Sequence, residues 1–182
     1  MSKPPAPEAS AHESSPSRGG LVDPIELEPV FDDTDSKVAV GDHPVHAMLV
    51  TFPIALTACT FGADALYWWT GDAFWARAAM WACGGGFVLG VLAGLVGTAE
   101  LLLVRGIRQR SASWTHFVVA VMLLSVLGAN WGLRLGGYEQ AVLPWGIGLS
   151  ALALVFTGFA GWHGGKLVFE YQLGVASNGS DR

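Results

Sequence analysis

The stretch Phe74–Val104 reads FWARAAMWACGGGFVLGVLAGLVGTAELLLV and carries only two charged residues, Arg77 and Glu100. A run of about 20 apolar residues crosses the hydrocarbon layer of a bilayer as a helix. Three other runs meet that standard: Pro44–Trp69, Trp114–Leu135 and Ala141–Trp162. The connections between them are too short to hold domains. Lipid offers bare backbone no hydrogen-bond partner, so each run is expected to be helical. The fold class that follows is all-α: an integral membrane, up-down four-helix bundle occupying residues 42–175, preceded by a disordered N-terminal tail.

Working outward, composition agrees. The chain has 182 residues, 52% hydrophobic and 14% charged, where a soluble domain averages about 25% charged. The charge is unevenly placed. Residues Met1 to Asp42 carry a net charge of −6, against −5 for the whole chain. The acidic pI of 5.4 therefore describes the tail. No dense basic surface exists to release counterions, so nucleic acid is not expected as a partner. Residues 1–41 hold six of the nine prolines and few large apolar side chains. Such a segment buries too little surface to offset its ordering entropy. Its apolar-acidic run, Leu21–Phe31, is the place where a protein partner could dock; membrane lipid is the partner of the remainder. Residues 176–182 read as a short C-terminal tail. Cys59 and Cys83 lie inside apolar runs and read as small buried residues.

The span ends carry helix signals. Pro44 suits a first turn and pushes His43 into an extended shape before it. Thr70-Gly71-Asp72 makes the first tight connection. Gly136-Gly137 is expected to end the third span and Gly164-Gly165 the fourth. Pro53 should bend the first span. Gly86, Gly90 and Gly94 recur every four residues, and Gly158, Gly161 and Gly165 do something similar. Small residues at such spacing let helices approach closely, or give a flat cofactor a surface to lie against.

Because spans alternate in direction, the tail, the 105–113 loop and the C-terminus share one side. Lys37, Arg105, Arg108, Arg110 and Lys166 lie there, against Arg77 and Arg134 opposite. The positive-inside rule makes that side the cytoplasm of an inner-membrane protein, with both termini inside.

The same alternation gathers the histidines. His43 and His46 open span one, His116 opens span three, His163 closes span four, and Glu100 lies near the end of span two. All fall at one membrane depth, on the cytoplasmic side. Ionisable groups at helix ends are cheap when they reach the headgroups and functional when they face the interior. Spans one and three are commonly diagonal in such bundles. His46 and His116 could then face each other across the core as axial ligands of haem iron, with His163 beside a propionate, a lipid phosphate or Glu100. A divalent-metal site from the same residues is an alternative, although no His-x3-His spacing on one helix supports it. Near the opposite face, Asp64 is expected to pair with Arg77 or Arg134, and Asn130 to bond across helices. No Ser-His-Asp arrangement, phosphate-binding loop or catalytic carboxylate pair is present.

The run His43-Pro44-Val45-His46-Ala47-Met48-Leu49-Val50-Thr51-Phe52-Pro53-Ile54 resembles the opening of a bacterial four-helix membrane family, domain of unknown function 2231. The loop from Thr70 to Ala79 and the stretch from Gly161 to Phe169 are similar to further parts of that family, and His116 takes the place of its third-helix histidine. The resemblance covers Asp42 to Val175. It implies a four-helix inner-membrane protein whose arrangement is similar to small b-type cytochrome bundles. One departure stands out: the family often carries a histidine shortly after the Gly-Gly pair, where this chain has Phe169, Glu170, Tyr171 and Gln172. The leading expectation is a haem b electron-transfer bundle with its site near the cytoplasmic face. The alternatives are a non-catalytic scaffold recruiting a partner through its tail, and the divalent-metal site.

Overall fold

Four helical spans account for nearly all of the computed structural model, which describes residues 39–40 and 43–169. They run Val45–Thr70, Ala73–Leu103, Ser111–Leu135 and Tyr138–Phe169, with 26, 31, 25 and 32 residues. At 1.5 Å per residue even the shortest exceeds the roughly 30 Å hydrocarbon layer, so every span is long enough to cross it. Before them lie two short strands, β1 (Ala39–Val40) and β2 (His43–Pro44), paired antiparallel with Val40 opposite His43. The extended shape expected before Pro44 is thus present. The readings made for residues 1–38 and 170–182 lie outside the described residues.

Span one is two helices, α1 (Val45–Leu49) and α2 (Thr51–Thr70). The break falls at Val50, three residues before Pro53, whose missing N–H and bulky ring disturb the preceding turn. Span two is α3 (Ala73–Leu103), opened by Asp72, whose carboxylate accepts from Phe74 N at 2.9 Å. Gly71 ends α2 with φ +69°, a conformation that glycine adopts without penalty. A single-turn helix α4 (Arg105–Arg108) leads to α5 (Ser111–Leu135), which is span three. Gly136 ends α5 as expected. Span four comprises α6 (Tyr138–Ala141), a kinked segment over Val142–Gly146 in which Leu143 leaves the helical conformation (φ −113°, ψ 132°), and α7 (Ile147–Phe169).

Two expectations are corrected. Cys83 is buried as expected, but Cys59 is exposed on its helix. Gly164 and Gly165 do not end span four; helix continues through them to Phe169. A glycine pair ends a helix when the chain must leave it, and here the apolar run Leu167-Val168-Phe169 prolongs the span, with Val168 and Phe169 exposed, as apolar residues in lipid stay helical. Gly164 serves a different purpose, described below.

The helices pack in a closed ring: α2 on α3, α3 on α5, α5 on α7 and α7 back on α2. Spans one and three are therefore diagonal, as are two and four. The distribution of side chains is inverted relative to a soluble protein. Trp68, Trp69, Trp81, Trp145, Phe159 and Trp162 face outward, while the buried positions are mostly small or polar, such as Ala76, Ala79, Cys83, Ala93 and Ala153. Lipid welcomes the large apolar groups, and small groups let the backbones close together. A compact cluster of Cys83, Leu127 and Ala153, with Phe87 and Trp131 against it, fills the middle of the bundle.

Candidate functional site

Two polar centres lie at opposite ends of the bundle. The first is sealed. Asp64 of α2 and Arg134 of α5 form a two-pronged ion pair, Nη1 to Oδ1 at 2.9 Å and Nη2 to Oδ2 at 2.7 Å, with both side chains fully buried. Of the two expected partners for Asp64, Arg134 is the one used, while Arg77 is exposed. Guanidinium Nε donates to Asn130 Oδ1 at 3.0 Å, one helical turn away. That contact fixes the amide's orientation, because guanidinium can only donate. Asn130 Nδ2 then donates to Ser150 Oγ of α7 at 2.9 Å, the interhelical bond expected of Asn130. Ser150 gives its proton to Asp64 Oδ2 at 2.6 Å. Three spans are tied by one network in which every charge has several partners. Such closure is the condition under which an ion pair survives away from water.

The second centre is open. A cavity of about 410 Å³ lies among all four spans near the other end, within the range of about 300–1,000 Å³ seen for small-molecule sites. His46, Thr98, Glu100, Ser113, His116 and Thr157 bring polar groups to its wall, and the rest is apolar or glycine. Leu127 belongs both to this wall and to the central cluster, so the cavity stops where the packed middle begins.

The two imidazoles are mounted alike. His46 Nδ1 lies 2.9 Å from Ala93 O of α3, and His116 Nδ1 lies 3.1 Å from Ala160 O of α7. A carbonyl only accepts, so each Nδ1 carries the hydrogen. In the neutral ring Nε2 then bears the lone pair, and neither Nε2 has a hydrogen-bond partner among the described residues. Each ring also lies over a glycine four residues past its carbonyl. A Cβ on Gly97 would come within 2.7 Å of the His46 ring, and one on Gly164 within 3.2 Å of the His116 ring. Gly164, inside the continuing helix, is the seat of the His116 ring. The ring centroids are 6.4 Å apart, with planes at 83°.

Sequence-expected residues are distributed as follows. His46, His116 and Glu100 meet at one cavity, as the shared depth implied. His163 does not line it; its Nδ1 donates to Phe159 O on its own helix at 2.9 Å. The His43 side chain lies outside what is described. Ser113 and Ser150 were missed, since a lone serine in a span carries no distinguishing signal. The parallel mounting did leave a trace: the same number of residues separates His46 from Asp64 as His116 from Arg134. Spans one and two thus repeat the construction of spans three and four, with like histidines at one end and opposite charges at the other.

Among the described residues no group of three or more His, Cys, Asp or Glu could hold a metal ion. Fold and site define a polytopic membrane protein with a paired-imidazole cavity between its spans. The chain belongs to the family described as "Predicted membrane protein (DUF2231)", whose model matches residues 42–177. No curated protein and no solved structure matches it.

Proposed function

We propose that the protein is a b-type haem protein of the inner membrane, with His46 and His116 as the axial ligands. The observation that carries this reading is the mounting of the two rings. Metal-bound histidine typically donates its other ring N–H to a carbonyl or carboxylate, which fixes the ring and raises the basicity of the ligand nitrogen. Both rings have that arrangement, on diagonal helices, facing one cavity. The spacing suits a single iron. With metal–nitrogen bonds of about 2 Å, two opposed imidazoles have centroids about 6 Å apart, against 6.4 Å here.

The donor count favours haem over a bare metal. A tetrahedral metal site needs four ligands, and no group of three or more His, Cys, Asp or Glu among the described residues is placed to hold a metal ion. Haem iron arrives with four ring nitrogens and asks the protein for two. The two cysteines, Cys59 and Cys83, are too far apart in sequence for the Cys-x-x-Cys-His pattern of covalent attachment, which favours a b-type group. When bound, the group supplies a one-electron iron couple. The chain's part is to hold both Nε2 lone pairs inward, to exclude water with apolar walls, and to offer the small-residue wall at Gly94 and Gly161, since Gly97 and Gly164 are covered by the histidine rings.

The charge pattern supports a cytoplasmic location for the His46 end. Arg105, Arg108, Arg110 and Lys166 lie at that end. With Arg134 consumed in its buried pair, Arg77 is the exposed cation of the other end among the described residues.

The test is an absorption spectrum of protein purified in detergent without a histidine tag. A Soret band that shifts on reduction is expected. His46→Ala and His116→Ala should each abolish the native spectrum, whereas His163→Ala should keep it. A colourless protein that stays colourless after haem is added overturns the reading.

A further inference from the structure

Besides the two imidazole Nε2 atoms, one polar atom in the cavity wall has no hydrogen-bond partner among the described residues. Ser113 is 3% exposed and its Oγ makes no hydrogen bond. The contrast with other hydroxyls in the spans is sharp. Thr57, Thr60, Thr98, Thr115, Ser125 and Thr157 each donate to the carbonyl four residues earlier. Ser113 has no such carbonyl within its helix. It lies in the first turn of α5, which begins at Ser111, so four residues earlier is Gln109, outside the helix. An unsatisfied buried hydroxyl costs about 1–3 kcal/mol unless something meets it.

Its position says what that something is. The first-turn N–H groups of a helix lack helical acceptors and carry partial positive charge, which suits an anion. Arg110, the residue preceding α5, provides no side-chain cap to those groups. Ser113 is three residues before His116 and so shares its helix face, one turn nearer the membrane surface. Glu100, on the facing wall, is already engaged in an interaction of its own.

We infer that Ser113 and the first turn of α5 receive a carboxylate of the molecule that fills the cavity. This rests on the haem reading above, under which the carboxylate is a propionate and the body lies deeper, between His46 and His116. The hydroxyl donates to one carboxylate oxygen, and the helix N–H groups face the same charge.

The two readings are separated by titrating wild type, Ser113→Ala and Ser113→Thr with haem b and with its dimethyl ester, followed by absorption in detergent. Ser113→Ala should bind haem b about tenfold more weakly, the cost of one hydrogen bond to a charged group. It should bind the diester as wild type does, and Ser113→Thr should recover most of the loss. A Ser113→Ala variant that loses equally on both ligands, or on neither, overturns the carboxylate site while leaving the axial ligands in place. A wild type that binds neither ligand overturns both.

Discussion

Asp64 and Arg134 illustrate how one residue's environment sets its worth. A charge without its partner in the middle of a bundle faces lipid-facing helices and no water. Removing one member of a buried pair costs about 3–5 kcal/mol, much of it from the charge left behind. Asp64→Asn and Arg134→Met are therefore each expected to lower the melting temperature in detergent markedly. Replacing both together, as Asp64→Leu with Arg134→Met, should cost far less than the sum of the two singles. Tryptophan fluorescence melts would register the difference. Strict additivity would mean that the network contributes nothing as a unit. His163 makes the opposite point. Its depth matched that of the other histidines, but its ring bonds its own helix. Depth can be read from spacing; the direction of a side chain cannot.

The glycines differ among themselves, although all lie in helices of similar composition. At Gly97 and Gly164 a methyl would press on a histidine ring that is already hydrogen-bonded to the adjacent helix. At Gly158 a Cβ would meet nothing within 4 Å. Gly97→Ala is thus expected to displace the His46 ring and weaken cofactor binding, with Gly164→Ala weaker in effect because its clash is milder. Gly158→Ala should leave both melting and spectrum near wild type. Thermal melts and haem titrations on the three variants check this ordering, which spacing alone would have reversed, since Gly158 belongs to the repeating glycines and Gly97 stands beside its set. Pro53 and Gly164-Gly165 show the same division. The interruption of span one shortly before Pro53 was legible because a missing N–H acts wherever it occurs. The seating of a histidine ring on Gly164 was not, because it depends on a ring from another span.

The bundle closes on itself in sequence order, and this places loops at alternate faces. Accessibility labelling tests that arrangement and its proposed direction. In a background of Cys59→Ser and Cys83→Ala, Gln109→Cys and Gln140→Cys occupy exposed positions at opposite ends. A membrane-impermeant maleimide added to intact spheroplasts is expected to reach Gln140→Cys directly and Gln109→Cys only after permeabilisation. The reverse pattern would invert the proposed orientation, and equal labelling before permeabilisation would contradict the span count. The repeated construction of the two helix pairs explains why the cavity sits where it does. Equivalent histidines from spans one and three meet at one end, while at the other the equivalent positions hold Asp64 and Arg134 and lock together.

Hydrophobic length, charge asymmetry and the alternation of direction were enough to give four helices, their order and the common depth of His46, Glu100 and His116. These follow from transfer of residues into lipid and from helix geometry, both of which act locally along the chain. The choice of Arg134 over Arg77, the carbonyls that turn each imidazole inward and the unsatisfied Ser113 had to await packing. Each depends on which face of one helix meets which face of another, and apolar spans with little amphipathic character record that rotation only faintly in their residues.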